Sequence, residues 1–199
     1  MLIRKSQLQL VEPNNPILHS IPPSYVFEDH EDTTDLFANL MYDRMQELGG
    51  MGLAANQVGV NTQFFTMGVD ILRIDVFNPK IVSMNGEITT EEGCLTYPGI
   101  FLQIKRPLNI GVEFQNVKGE LVKMNLTGLT ARIFLHEYDH LMGKTFKEKV
   151  STLKWSLANK KLKNVRDKLK KEIRQRYIVD TYKEMSNVAG DALENLKSR

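Results

Sequence analysis

Cysteine is nearly absent from this sequence, in which Cys94 is the one cysteine among 199 residues. An intramolecular disulfide is therefore excluded, and we expect a reducing, intracellular compartment. A lone cysteine usually serves as a small buried side chain. It can also supply a thiolate, which is an excellent ligand for a transition metal. The meaning of Cys94 therefore depends on its neighbours.

Long hydrophobic runs and a strong net charge are also lacking. No run of about 18 consecutive apolar residues is present, so we expect no membrane span. Residues 1–16 lack the continuous apolar segment of a signal peptide. A net charge of +2 gives no reason to expect DNA as a partner. We therefore expect a cytoplasmic protein, with an organelle as a compatible location.

The order of apolar and turn-forming segments predicts the fold class. A helix is predicted from Asp32 to Leu48, and a second one from Thr127 or Thr130 to about Met142. Short apolar runs predict strands at residues 63–67, 74–77, 81–83, 101–104, 110–114 and 121–126. Strands grouped before a buried helix indicate an α+β fold, with antiparallel or mixed sheets packed around that helix.

The C-terminal part of the chain differs in charge from the rest. Residues 154–176 contain ten Lys or Arg and two acidic residues, a local balance of 10 − 2 = +8. One apolar stripe runs through this segment at helical spacing and consists of Leu162, Val165, Leu169 and Ile173. The pattern predicts a basic amphipathic helix, whose ordinary interpretation is a solvated lysine face.

Residues 136–140 read His-Glu-Tyr-Asp-His, which fits the H-E-x-x-H metal-binding pattern. Histidines four residues apart lie on one helix face, so His136 and His140 can reach one ion. Glu137 lies between them, where it can take a proton from water at the metal. The alternative is a chance match of five residues. The motif alone indicates a metal-dependent hydrolase without naming its substrate.

A catalytic metal site needs a third protein ligand and one open position. No histidine follows His140, and Glu148, the one nearby downstream glutamate, has no recognisable second motif around it. His19 and His30 lie in the polar N-terminal arm, where we expect either exposed side chains or local packing. Cys94 is the remaining candidate, and Gly93 beside it permits close approach of the backbone. Cys94 with the two histidines favours a centre of one thiolate and two imidazoles.

Three blocks of the sequence resemble the motifs of the peptide deformylases, in the same order. Residues 50–57 read Gly-Met-Gly-Leu-Ala-Ala-Asn-Gln and resemble G-x-G-L-A-A-x-Q. Residues 92–96 read Glu-Gly-Cys-Leu-Thr and resemble E-G-C-L-S, with Thr96 where serine is usual. Residues 136–140 match H-E-x-D-H, preceded by Leu135 where many relatives have glutamine.

The resemblance covers about residues 5–150 and implies a domain organisation. We expect a deformylase-like catalytic domain over residues 1–150, followed by a helical extension over residues 151–199. In some bacterial deformylases the C-terminal helix contacts the ribosome, so residues 154–176 are also a candidate ribosome contact.

The resemblance further implies a reaction and a metal centre. Peptide deformylases remove the formyl group from the N-terminal formyl-methionine of nascent polypeptides and release formate. Cys94, His136 and His140 would bind the metal, commonly Fe²⁺ in this family, with Zn²⁺, Ni²⁺ or Co²⁺ as substitutes. Glu137 would act first as general base and then as general acid.

The resemblance also implies residues that contact the substrate. Gln57 through its side-chain amide and Leu95 through its backbone N–H would donate to the formyl oxygen as it gains negative charge. The other residues expected to contact substrate are Gly50, Met51, Gly52, Leu129 and Ile133. Plain core packing is the alternative for Met51, Leu129 and Ile133. Arg106 is expected to pair with Glu92 or Asp139 behind the metal ligands.

Two other functions remain as alternatives at this point. A zincin-type metallopeptidase also uses H-E-x-x-H, although a cysteine ligand upstream argues against it. A ribosome-binding or nucleic-acid-binding module would use the basic helix without catalysis.

Overall fold

The computed structural model of this chain describes residues 7–30, 33–69 and 72–197, with side chains described as far as residue 175. Two compact units are present, Met1–Thr152 and Leu153–Arg199. The assignment of catalysis to residues 1–150 and of an extension to residues 151–199 stays a prediction. Asp32, the predicted start of the first helix, lies outside the described residues.

The first unit contains seven strands and two α-helices in the part of the chain that the structure describes. The strands are β1 (Gly52–Ala54), β2 (Phe64–Val69), β3 (Leu72–Asn85), β4 (Ile88–Gly93), β5 (Phe101–Arg106), β6 (Asn109–Gln115) and β7 (Leu121–Thr127). The helices are α1 (Thr34–Glu47) and α2 (Gly128–Leu141).

The strands form two antiparallel sheets. One sheet has five strands in the order β1-β2-β3-β6-β7, and the other consists of β4 and β5. Helix α2 packs against β1 and β2, and α1 packs against the same two strands. The prediction of an α+β fold with antiparallel sheets is confirmed.

Strand β3 joins two segments that the sequence predicts as separate strands. Asn78 interrupts the pattern with a positive φ of 49°, a conformation that asparagine adopts more readily than most residues. The pairing of β3 with β6 shifts register between Phe77 and Lys80 and again between Ile81 and Ser83. These irregularities allow one strand to continue through a sequence that contains Asn78-Pro79.

Helix α2 is largely buried, as its apolar flanks predict. Phe134 is fully buried and lies edge-on to Phe65, with ring centroids 5.0 Å apart. The apolar face on this core side includes Ala131, Phe134, Leu135 and Leu141. Core packing therefore fixes the position of α2, and the residues on its other face can contribute to a functional site.

From Leu153 onward, the described part of the second unit belongs to helix α3 (Thr152–Lys197). Val165, Leu169 and Ile173 are exposed along this helix. The predicted basic helix is present, and no helix among the described residues is both long enough and apolar enough to cross a membrane.

Replacing Phe134 with alanine tests the role of the core behind α2. Because large-to-small changes in a core leave a cavity, we expect a loss of about 3–5 kcal/mol in the free energy of unfolding. Chemical denaturation measures it. Phe101→Ala is the matched control, since Phe101 is 61% exposed and should lose far less. Equal losses in both variants would contradict this packing.

Candidate active site

Helix α2 presents His136 and His140 on one face, one turn apart. Their ring centroids are 5.2 Å apart. Cys94 follows β4 directly, and its Sγ lies 3.3 Å from Nε2 of His140. One ligand atom from each of Cys94, His136 and His140 lies within 4.8 Å of the others. The structure thus brings together the three residues predicted as ligands from distant parts of the sequence.

This donor set fits a divalent transition metal. One thiolate and two imidazoles are ligands that such ions prefer, and three protein ligands leave a coordination position for substrate or water. Nδ1 of His136 lies 3.0 Å from Oε2 of Glu92. Metal-binding histidines commonly use their second nitrogen in this way, which orients the ring. Nε2 of His136 therefore remains for the ion.

Glu92 is the centre of a buried charge network. Arg106 donates to both carboxylate oxygens of Glu92, at 2.6 Å from Nε and 2.9 Å from Nη2. Arg132 donates to Oε1 of the same carboxylate. Arg106 also donates to Asp139 at 2.7 Å, so the predicted pairing of Arg106 is confirmed with both acids. The network joins β4 and β5 to α2.

The network shifts the pKa of its members. Burial by itself raises the pKa of Glu92, but hydrogen bonds from His136 and Arg106 outweigh it and bring that pKa to about 2. Burial lowers the pKa of Arg106, and Glu92 and Asp139 more than compensate and raise it. Glu92 is therefore a carboxylate and Arg106 a cation at neutral pH.

The pKa of the Cys94 thiol is also lowered. Burial acts to raise this pKa, but the charges and hydrogen bonds of His140 and His136 hold it well below its usual value. The nearby imidazoles thus favour the thiolate, which is the form that binds metal.

Glu137 is buried beside these residues. Burial raises the pKa of its carboxyl, and the positive charges of His136 and His140 only partly offset this effect. Its Oε2 has no hydrogen-bond partner among the described residues. A Cβ atom at Gly52 would overlap the Glu137 carboxylate. Glycine at this position therefore allows β1 to pass directly over Glu137.

Gln57 faces Cys94 from the turn that follows β1. Its Oε1 accepts a hydrogen bond of 2.9 Å from the backbone N–H of Ala54, which fixes the direction of the amide. Its Nε2 donates to Thr96 at 3.1 Å and lies 3.8 Å from Sγ of Cys94. Thr96 thus retains the hydroxyl function of the serine that is usual in the motif.

Leu95 lies in the turn after Cys94. The backbone hydrogen bonds of this turn run from Tyr97 N to Cys94 O and from Ile100 N to Tyr97 O. Neither uses the N–H of Leu95. This donor belongs to the residue that follows Cys94, and Leu95 and Gln57 both line the cavity beside it.

A cavity of about 420 Å³ opens onto these residues. All five residues expected to contact substrate line it, together with Gln57, Cys94, His136 and Glu137. Met51 and Leu129 are about half exposed, and Ile133 is buried. A second cavity of about 400 Å³ beside α1 includes one histidine, His30, and no cysteine among its lining residues. The first cavity is therefore the candidate active site.

Sequence reasoning missed two buried polar residues of the site. Arg132 lies four residues before His136 on α2, and a charged residue within that apolar run was the available signal. Asn56 is fully buried, and its Nδ2 donates to the backbone oxygen of His140 at 2.6 Å. Nothing in the sequence distinguished Asn56 from an ordinary turn residue. His19 and His30 are exposed, as predicted.

The family model described as polypeptide deformylase matches residues 7–155. The chain belongs to the peptide deformylase family. A peptide deformylase of Thermotoga petrophila is 39% identical over 153 residues, covering 76% of this chain and 92% of the relative. Peptide deformylase 1B, chloroplastic, of Oryza sativa is 32% identical over 198 residues, covering 96% of this chain and 68% of the relative.

Solved peptide deformylase structures share the fold. The enzyme of Synechococcus elongatus in complex with actinonin has a TM-score of 0.74 and 30% identity, covering 81% of this chain and 88% of that chain. A Met-Ala-Ser-bound enzyme of Acinetobacter baumannii has a TM-score of 0.69 and 26% identity, covering 72% of this chain and 98% of that chain. This deformylase is accordingly a metal-dependent hydrolase that removes N-formyl groups, and the two alternative functions find no support.

Replacing Arg106 with alanine tests the buried network. Breaking a buried pair from one side costs about 3–5 kcal/mol, so we expect a lower free energy of unfolding. Metal affinity should fall about 10–100-fold, because Glu92 no longer orients His136 firmly. Denaturation and competition with a chelator measure the two effects.

Lys105→Ala provides the control at the adjacent position. Lys105 forms an exposed ion pair with Glu87, and such pairs contribute about 0–1 kcal/mol. Its metal affinity should equal that of the unaltered protein. Full metal affinity in Arg106→Ala would contradict the orienting role of the network.

Proposed function

We propose that Cys94, His136 and His140 hold one divalent metal ion, and that Glu137 is the proton-transfer residue of deformylation. The convergence of the three ligand atoms within 4.8 Å carries this proposal, and Cys94 and His136 line the cavity that also contains Glu137. When bound, the metal supplies Lewis-acid activation of water and of the formyl carbonyl. We propose Fe²⁺ as the native ion, with Zn²⁺, Ni²⁺ or Co²⁺ as substitutes.

Glu137 is suited to carry a proton between water and the departing amine. Its buried carboxyl is held close to the two histidines, and its Oε2 is free of other hydrogen bonds among the described residues. A raised pKa brings a carboxyl group closer to the operating pH, where it both accepts and releases protons. Glu137 would accept a proton as water attacks the formyl carbon, and donate it as the C–N bond breaks.

Gln57 and Leu95 would stabilise the charge that develops on the formyl oxygen. The Gln57 amide is held by Ala54 N–H and Thr96, so its Nε2 edge already faces Cys94. The Leu95 N–H is not used by its turn. Donors that are fixed before reaction cost no reorganisation in the transition state.

The substrate backbone would pair with the chain next to β1. Strand β1 is at the edge of the five-stranded sheet, so its outer side is open to an added strand. A Cβ atom at Gly50 would lie 2.8 Å from Cδ1 of Leu95, which shows how closely the two cavity walls approach there. Gly50, Met51 and Gly52 would then contact the peptide backbone.

The methionine side chain would enter the apolar part of the cavity. Leu129 and Ile133 of α2 line this part together with Met51. The relative whose structure contains Met-Ala-Ser supports a peptide with an N-terminal methionine as the ligand of this cavity. We therefore propose N-formylmethionyl peptides as the substrates.

Replacing Glu137 with glutamine keeps the shape of the side chain and removes its proton-transfer function. Because general acid–base catalysis contributes about 10²–10⁴-fold, we expect kcat to fall by that range with unchanged metal content. An anaerobic assay of formate release with metal analysis of the same sample measures both. Glu87→Gln, an exposed carboxylate change, should keep full activity. Normal turnover in Glu137→Gln would overturn the mechanism.

We also propose that residues 154–176 contact ribosomal RNA. The local charge of +8 on a helix is suited to a phosphate backbone, and the substrate emerges at the ribosome. Such a contact would hold the enzyme where formylated chains are made, in a bacterial cytoplasm or in an organelle such as the one named for the rice relative.

Deleting residues 154–199 tests this contact. We expect the full chain to cosediment with ribosomes at low salt and to be released as salt increases, because phosphate contacts are lost as counterions compete. The shortened chain should not cosediment. Binding that is insensitive to salt, or retained after the deletion, would contradict the proposal.

A further inference from the structure

Besides Oε2 of Glu137, two buried polar atoms near the metal ligands have no hydrogen-bond partner among the described residues. They are Oδ1 of Asn56 and Nδ1 of His140. Asn56 is 0% and His140 is 1% exposed. Leaving a buried polar group without a hydrogen bond is unfavourable. Oδ1 of Asn56 is an acceptor, whereas Nδ1 of His140 is a donor or an acceptor according to the tautomer of its ring.

The orientation of the Asn56 amide is determined by its surroundings. Nδ2 lies 2.6 Å from the backbone oxygen of His140 and 3.5 Å from that of Ile17. Both neighbours are carbonyl acceptors, so a rotated amide would place oxygen against oxygen. Oδ1 must therefore be the atom left over, and it belongs to a residue already bonded to His140.

The tautomer of His140 follows from the site. Its Nε2 faces Sγ of Cys94 at 3.3 Å, on the ligand side of the ring. A neutral imidazole that binds a metal through Nε2 carries its proton on Nδ1. Nδ1–H is then a buried donor that needs an acceptor. His136 meets this need with Glu92, whereas no described residue does so for His140 in the structure.

We propose that Asn56 is the positioning residue of His140, with its Oδ1 accepting from Nδ1–H across one water molecule, because the two atoms form no direct hydrogen bond in the structure. Its amide would hold both the backbone and the ring of this ligand. Glu92 and Asn56 would then orient the two histidines separately, one through a carboxylate and one through a neutral amide. This inference rests on the proposed metal centre.

Two substitutions separate the acceptor of Asn56 from its donor. Asn56→Leu removes both functions at similar volume. Asn56→Asp removes the donated bonds to His140 O and Ile17 O but retains an acceptor. The probe is Zn²⁺ alone, whose affinity is measured by competition with a chelating dye, because Zn²⁺ does not oxidise in air.

We expect Asn56→Leu to weaken Zn²⁺ binding about 10–100-fold, which is the usual effect of losing an outer partner of a ligand. Asn56→Asp should bind Zn²⁺ more tightly than Asn56→Leu, because it keeps the acceptor even though its second oxygen faces the backbone oxygen of His140. Equal weakening in both variants would assign Asn56 a purely structural role and overturn the proposal. Unchanged affinity in Asn56→Leu would also overturn it.

Thr34→Val is the matched control, since it removes a buried hydroxyl that bonds Tyr25 OH at 2.7 Å and does not line the site cavity. It should lower the melting temperature without changing Zn²⁺ affinity. Cys94→Ala in the same titration tests the metal centre itself. If Cys94→Ala keeps full affinity, the proposed centre fails whatever Asn56 does.

A measurement on the unaltered protein is independent of any folding defect. Nitrogen–proton correlation spectra of the Zn²⁺-loaded enzyme report which nitrogen of His140 carries the proton. We expect Nδ1–H, with exchange slowed by its hydrogen bond. A proton on Nε2, or rapid exchange of Nδ1–H with solvent, would overturn the proposal.

Discussion

The active site depends on one buried carboxylate. Glu92 lies at the end of β4, two residues before Cys94, and it receives hydrogen bonds from Arg106 of β5, Arg132 of α2 and His136. Burying a single charge is very unfavourable unless it is paired. Because the Glu92 carboxylate must be paired when it is buried, its hydrogen bonds hold the segment that contains Cys94 against helix α2.

The remaining parts of the site depend on close approach of backbone segments. Helix α2 is fixed from behind by Phe134 and its apolar neighbours. The edge strand β1 then passes over Glu137, which a side chain at Gly52 would prevent. The turn after β1 directs Gln57 towards Cys94. Residues 49–57, 91–101 and 129–137, which are far apart in sequence, thus enclose one cavity.

Sequence reasoning predicted the elements whose patterns are local. The helical spacing of apolar residues predicted α1 and α2, and alternating or apolar runs predicted β2, β5, β6 and β7. Strand β4 was missed because its Thr-Thr-Glu-Glu segment is polar and most of its side chains are exposed. It therefore lacks the apolar run that predicts a strand. The continuity of β3 was missed because Asn78-Pro79 normally ends a strand. The two register shifts that let β3 continue arise from its pairing with β6, and local sequence does not reveal them.

The site could be predicted where residue type alone implies chemistry. Cysteine and two histidines at helical spacing are rare enough to be read as ligands, and the structure brings them together. Arg132 and Asn56 could not be found in that way. Their roles follow from which carbonyls and carboxylates surround them, and such neighbours are fixed only when the sheets and α2 have assembled.

One metal ion held by Cys94, His136 and His140 is proposed to support deformylation. The most direct measurement of this role is a titration of metal-stripped protein with Fe²⁺ under anaerobic conditions, with formate release from a formyl-Met peptide followed at each addition. Activity should rise linearly and saturate at one ion per chain, and His140→Ala should show no such rise. Full activity before any metal is added, or saturation unchanged in His140→Ala, would contradict this role of the metal ion.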